Sequence, residues 1–155
     1  FATGLIVGAA AMVVGAQGNR IEGNMGINHV GITVENMQEA IDTYNKAFGF
    51  GEAAVVRDDK GQPTIAFIHV NRNTFIELSP ATATNRPGLD HFGLQVSDAK
   101  VAVAALQQRG IKINEPRMGR TVSLISRTTE PYGVIMELSQ LGPESMLGKA
   151  IANFK

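Results

Sequence analysis

The chain reads as an α+β protein made of two tandem βαβββ modules whose strands join in one curved mixed sheet, with helices on its outer face. Three observations predict this. Asn28-His29-Val30-Gly31-Ile32-Thr33-Val34 recurs, position by position, as Asp90-His91-Phe92-Gly93-Leu94-Gln95-Val96. At nearly the same offset, Phe75-Ile76-Glu77-Leu78-Ser79 recurs as Ile135-Met136-Glu137-Leu138-Ser139. Between the paired strings each copy shows the same succession of strand, helix and turn signals, as a duplicated unit requires.

In the first copy, over 26–80, Gly26 to Val34 alternates as a strand. Asn36 followed by Glu39 forms a capping box that opens a helix; Ile41, Tyr44 and Phe48 share one helical face and Gly49 ends it. Glu52 to Arg57 predicts a strand, Asp58-Asp59-Lys60-Gly61 a turn, Thr64 to Val70 a second strand and Thr74 to Ser79 a third. A linker rich in Thr, Pro, Asn and Gly covers 81–88. The second copy, over 89–140, predicts a strand from Leu89 to Val96, then a helix capped by Ser97 or Asp98, running through Gln108 and closed by Gly110. Strands are expected at Ile111 to Asn114, Thr121 to Arg127 and Gly133 to Ser139, and a terminal helix within 141–155.

Successive side chains of a strand point to opposite sheet faces. Val30, Ile32 and Val34 are an apolar face for the helix, as are Phe92, Leu94 and Val96, which turns His29 and His91 the other way. The same division sets Glu77 and Glu137 opposite Ile76, Leu78, Met136 and Leu138. All four ionisable groups therefore face away from the helices, where Gly31 and Gly93 are expected to leave room for a ligand. Two imidazoles and two carboxylates on a concave face suit a divalent ion such as Zn, Ni, Fe or Mn. Each residue alone reads equally well as a hydrogen-bonded strand residue, but packing alone would place apolar side chains at four matched positions.

Composition narrows the partners. Acidic and basic residues balance at 14 each with no like-charge run, so nothing indicates nucleic acid or a membrane surface; a small-molecule substrate is expected. With no cysteine, a metal must be held by nitrogen and oxygen. With no tryptophan and few other aromatics, a stacking platform for bases or sugars is disfavoured. Phe1 to Ala16 is apolar, carries no charge and ends Val14-Gly15-Ala16, which fits a secretory leader cleaved after Ala16, followed by a polar linker over 17–25. That run is shorter than the roughly 20 residues of a spanning helix, so no stable membrane insertion is expected after its removal. Export to the periplasm or outside the cell follows if the leader is a signal peptide; otherwise the chain is cytoplasmic or membrane-anchored.

These residues resemble the vicinal oxygen chelate superfamily, which includes glyoxalase I, methylmalonyl-CoA epimerase, extradiol dioxygenases and bleomycin-resistance proteins. The resemblance is carried by Ile27 to Val34, Ala47-Phe48-Gly49-Phe50, Phe75-Ile76-Glu77-Leu78, Asp90-His91-Phe92-Gly93, Glu130-Pro131-Tyr132-Gly133 and Ile135-Met136-Glu137-Leu138. It implies metal ligands on the first and last strand of each module: His29, Glu77, His91 and Glu137. Four ligands favour glyoxalase-type lyase or isomerase chemistry, since the dioxygenases use two His and one Glu. By resemblance to glyoxalase I, Glu137 is the catalytic base and Glu77 takes the corresponding role on the opposite face of the substrate. An extradiol dioxygenase and a secreted small-molecule binding or resistance protein are the alternatives. Modules of this family pair within a chain or exchange between chains, so a homodimer is among the arrangements implied.

Other residues carry weaker expectations. Arg57, Arg72, Arg117, Arg120 and Arg127 are candidates for holding an anionic substrate group, though each also reads as a solvated surface arginine. His69 alternates with Ile65 and Phe67 and reads first as structural, second as a pocket residue; Tyr132 is assigned to the turn before the last strand.

Overall fold

The computed structural model describes residues 20–155; the leader over 1–16 and the start of the polar linker lie outside the described residues. Eleven elements follow in the order β1 (Asn24–Val34), α1 (Met37–Lys46), β2 (Gly51–Arg57), β3 (Pro63–Asn71), β4 (Thr74–Pro80), β5 (Gly88–Val96), α2 (Ala99–Gln108), β6 (Arg117–Met118), β7 (Leu124–Thr129), β8 (Ile135–Gln140) and α3 (Met146–Ala152). The strands form one curled half-barrel sheet in the order β2-β3-β4-β1-β5-β8-β7-β6. Each half repeats one arrangement. The first strand pairs parallel with the last, β1 with β4 and β5 with β8, and the others follow antiparallel. The antiparallel β1–β5 pair joins the halves.

Caps and faces follow the expected chemistry. Asn36 accepts from the Glu39 amide at the start of α1, and Asp98, rather than Ser97, accepts from the Lys100 and Val101 amides at the start of α2. Helix α1 buries Met37 and Ile41 on Ala66, Ile68 and Leu78, joined by Ile32 and Val34. Helix α2 buries Ala99, Ala102, Val103 and Leu106 against Val96, Ile113 and Leu138. These two helices cover the outer face. Helix α3, whose face the sequence pattern leaves unassigned, packs Leu147 on Phe67 and Phe75, on the inner face of the first half.

The second half departs from its expected strands in one place. No strand forms at Ile111 to Asn114; the outer strand is the two-residue β6, and β7 begins at Leu124 rather than Thr121. Ile113 still enters the core, so its apolar spacing was a packing signal, not a ladder signal. The hydroxyls of Ser126 and Thr128 bond the Asn114 and Lys112 carbonyls, satisfying backbone that a regular strand would have paired. Residues 119–123 close instead as a turn, with the Gly119 amide on the Ser123 carbonyl at 2.8 Å and Val122 at φ 59°. Helix α1 likewise stops at Lys46, and Phe48 lies beyond it, 62% exposed, beside Tyr44 and Phe50.

Leu138 is fully buried between α2 and β8's neighbours. Leu138→Ala is expected to cost about 2–5 kcal/mol of unfolding free energy, read from the midpoint of a urea transition. A loss within the error of the wild-type midpoint would contradict this packing.

Candidate metal centre

The site is built on two matched irregularities of the β1–β5 seam. Between Ile27 and His29 on β1, and between Leu89 and His91 on β5, one residue is left out of the pairing: Asn28 in one case and Asp90 in the other. An extra residue in a ladder re-aims its neighbours. It lets the side chain just before each histidine reach that histidine's ring, which strict alternation would forbid. Asn28 Oδ1 lies 3.0 Å from His29 Nδ1, and Asp90 Oδ2 lies 2.7 Å from His91 Nδ1. The Asn28 amide nitrogen donates to the Asn73 carbonyl and to Gln95, which turns its oxygen toward His29. Both oxygens can only accept, so each imidazole in its neutral form carries its proton on Nδ1 and presents a bare Nε2.

Those two Nε2 atoms are 3.0 Å apart. Gly31 and Gly93 make this approach attainable, but not as expected from the sequence. The space beside Gly31 holds the His91 ring and that beside Gly93 holds the His29 ring, so each glycine admits the imidazole of the other module and not a ligand. A Cβ at either position would fall inside the ring it faces.

The carboxylates come from the last strand of each module. Glu77 lies beside Gly31 and Glu137 beside Gly93 in the parallel pairs. Glu77 Oε2 is 3.3 Å from His29 Nε2 and 3.4 Å from His91 Nε2; Glu137 Oε1 is 3.7 Å from His29 Nε2. Glu137 is further held by Arg127, whose Nε donates to Oε2 at 2.7 Å, and by Ser139, whose hydroxyl donates to Oε1 at 2.8 Å. The residue across from Glu77 on β3 is Phe67, where Arg127 stands across from Glu137 on β7. The duplicated halves therefore differ at the site itself.

One donor atom from each of His29, Glu77, His91 and Glu137 lies within 4.8 Å of all the others, and all four residues are buried. Donors bound to one ion at about 2.0–2.2 Å sit roughly 3.0–3.5 Å from their neighbours, close to the separations seen. Two bare nitrogens at 3.0 Å facing carboxylate oxygens are mutually repulsive without a cation among them. A proton satisfies only one or two of these acceptors, whereas a divalent ion satisfies all four. The residues fit a divalent metal of nitrogen and oxygen preference, and all four come from a single chain.

The buried groups also set one another's proton affinity. Burial is the largest influence on His29 and lowers its pKa despite Glu77 and Glu137. At His91 burial also opposes charge, but the hydrogen bond and charge of Glu77, with Asp90 behind, outweigh it and raise the pKa. Burial pushes Glu77 up, yet His91 and His29 pull its carboxyl below the ordinary value. Burial opposes charge on Arg127 too; Glu137 more than reverses that.

The centre floors a cleft of about 310 Å³, walled by Ile65 and Phe67 of β3 on one side and by Arg117, Arg120, Ile125 and Arg127 on the other. Three of the five expected arginines thus reach it. Arg57 instead donates to the Gly61 carbonyl, and Arg72 to the carbonyls of Ile151 and Phe154. His69 is structural: its Nδ1 bonds the Asn71 carbonyl, and its ring packs on Phe75 and Phe154. Tyr132 stands 92% exposed in the turn before β8. Sequence reading missed Asn28, Asp90 and Ser139 as partners of His29, His91 and Glu137, although all three sit inside the repeated strings.

Two outcomes test this geometry. Gly93→Ala should displace the His29 ring and abolish stoichiometric metal by elemental analysis while the circular dichroism spectrum stays folded; full retention of metal would contradict the fit. Because a proton competes with metal at Nε2 and the His91 pKa is raised, affinity should fall as pH drops, beginning above the ordinary histidine range. Competition with a chromophoric chelator across about pH 5 to 8 reads this, and a flat profile would contradict it.

Comparison with known proteins places the chain. Residues 28–123 match the family described as the Glyoxalase/Bleomycin resistance protein/Dioxygenase superfamily. The mitochondrial methylmalonyl-CoA epimerase of Dictyostelium discoideum is 30% identical over 116 residues, spanning 66% of this chain and 69% of that protein. Among solved structures, methylmalonyl-CoA epimerase from Mycobacterium tuberculosis superposes with a TM-score of 0.69 at 23% identity, covering 81% of this chain and 93% of that one. A Streptomyces coelicolor methylmalonyl-CoA epimerase variant, in complex with 2-nitronate-propionyl-CoA, gives 0.65 at 21% identity, covering 76% and 97%. With its paired βαβββ halves, its four-donor cluster and these matches, the chain belongs to the Glyoxalase/Bleomycin resistance protein/Dioxygenase superfamily.

Proposed function

We propose that this chain is a metal-dependent isomerase that moves a proton at a carbon next to a carbonyl, on a small acyl thioester or 2-oxo compound. The observation that carries the reading is the buried cluster of His29, Glu77, His91 and Glu137 opening on a cleft. Similarity to an epimerase at 30% identity supports epimerisation of a thioester ahead of glyoxalase-type chemistry on a hemithioacetal. The presence of Glu77 as a fourth donor disfavours an extradiol dioxygenase, which would instead consume oxygen with a catechol.

A divalent ion held by the four residues would supply Lewis acidity to a substrate oxygen, which acidifies the adjacent carbon. The other tasks fall to the chain's own groups. Ile65 and Phe67 give the cleft a dry side, and Glu77 and Glu137 bring two carboxylates to its floor. Inversion at a carbon needs a proton taken from one face and returned on the other, which a pair of carboxylates from two halves of the chain suits. Glu137 has both oxygens engaged, by Arg127 and Ser139, while Glu77 makes contacts through Oε2 and leaves Oε1 without a hydrogen bond among the described residues. Glu77 can accept a proton without breaking a contact. The geometry therefore favours Glu77 as the first base and Glu137 as its counterpart, the reverse of the order implied by resemblance to glyoxalase I.

The test is solvent exchange at the α-carbon of methylmalonyl-CoA in deuterated water, followed by nuclear magnetic resonance on metal-loaded protein. Exchange is expected, and Glu77→Gln should slow it by about 10²–10⁴-fold with metal content retained. Stoichiometric metal without exchange on thioester or hemithioacetal would sink the isomerase reading. A larger loss in Glu137→Gln at equal metal content would restore Glu137 as the first base.

A further inference from the structure

The two facing walls of the cleft differ in charge. Its β3 wall, Ile65 and Phe67, is apolar, whereas the opposite wall carries three guanidinium groups, from Arg117, Arg120 and Arg127. Arg127 is committed to Glu137. Arg117 and Arg120 make no ion pair among the described residues, and Arg120 Nη1 donates to Thr64 Oγ1 of β3 at 3.1 Å. The turn over 119–123 holds Arg120 there: the Gly119 amide closes it on the Ser123 carbonyl, and the Met146 amide at the start of α3 pins the Thr121 carbonyl. The two arginines therefore line the cleft, exposed, with donors unused by other described residues.

Charge balance gives this placement meaning. The ionisable groups lining the cleft are Glu77, Asp90, Glu137 and His91 against the three arginines, so three carboxylates offset three guanidiniums when His91 is neutral. A divalent ion at the cluster leaves the lined cleft with an excess of about two positive charges, focused by a low-dielectric wall. Such a site attracts an anion.

We infer that Arg117 and Arg120 form an oxyanion-binding subsite that selects substrates carrying a second acidic group, a carboxylate or a phosphate, and turns that group toward β6 and β7 with the apolar part against Ile65 and Phe67. This rests on the reading of the cleft as the substrate site. A guanidinium binds carboxylate and phosphate oxygens in a planar, two-pronged manner, and paired arginines suit either. The cleft's volume is at the lower end for small-molecule sites, so it holds the reacting part of a substrate and its acidic group while any longer tail projects past Arg120.

Calorimetry with three probes tests this: malonate, inorganic phosphate, and malonamide as an uncharged analogue of malonate. Wild type should bind at least one of the two anions and bind malonamide at least tenfold more weakly. The Arg117→Ala/Arg120→Ala double variant should weaken the bound anion about tenfold or more and leave malonamide unchanged, Arg117→Lys/Arg120→Lys should recover part of the loss, and Arg57→Ala should lose nothing. Stronger binding of malonate assigns a carboxylate as the natural group, and stronger binding of phosphate assigns a phosphate. Failure of wild type to bind either anion, or equal affinity in wild type and the alanine double variant, overturns the inference. Metal content, measured on the same samples, reads the isomerase proposal separately: arginine-dependent anion binding by protein that takes up no metal would keep the subsite and remove the metal chemistry.

Discussion

The antiparallel seam between β1 and β5 carries the interaction on which the rest of the site depends. Across it, each module lends a glycine to the other module's histidine, Gly93 to His29 and Gly31 to His91. Neither ring can reach the centre unless the opposite strand lacks a Cβ at that point, so neither half can assemble the site alone. The matched bulges at Asn28 and Asp90 complete the arrangement by fixing the Nδ1 protons and baring both Nε2 atoms. The resulting buried cluster of acceptors is unfavourable by itself, because desolvated lone pairs and carboxylates face one another. A bound cation would convert that penalty into affinity and would link folding of the seam to occupancy of the cluster.

Much of this was legible from residues alone, for physical reasons. Period-two alternation is a strong signal in strands with one apolar face, so Val30, Ile32 and Val34 turned His29 inward as expected. Duplication then repeated the inference for His91, Glu77 and Glu137. What stayed hidden depends on register between distant strands. Alternation places Asn28 and Asp90 on the face away from their histidines, and only a bulge, which leaves no mark in hydropathy, brings them to the rings. Gly31 and Gly93 were recognisable as small, but which group fills the space beside them is set by the β1–β5 pairing. Ile111 to Asn114 failed as a strand because an exposed loop that buries Ile113 alone, with side-chain hydroxyls on its carbonyls, shows the same apolar spacing.

Divergence of the two halves gives the site direction. At equivalent register positions one half has Phe67 and the other Arg127, which leaves Glu77 beside an aromatic ring and Glu137 tied to a cation. A twofold pair of carboxylates thereby becomes two groups of unequal freedom, within a cleft whose walls differ in the same sense. The five arginines of equal standing in the sequence are also separated by the fold, since Arg57 and Arg72 bond backbone carbonyls outside the cleft lining and the other three line it. An asymmetric site of this kind can hold a substrate in one orientation, which stereochemical proton transfer requires.

Elemental analysis and X-ray absorption on protein purified without added metal show whether the buried quartet is a metal centre. About one divalent ion per chain is expected, bound by two imidazole nitrogens and carboxylate oxygens with no sulfur, with loss of that spectrum in His29→Ala. Protein free of metal that also refuses Zn, Ni, Fe and Mn in solution, or an ion whose spectrum is unchanged in His29→Ala, would contradict it.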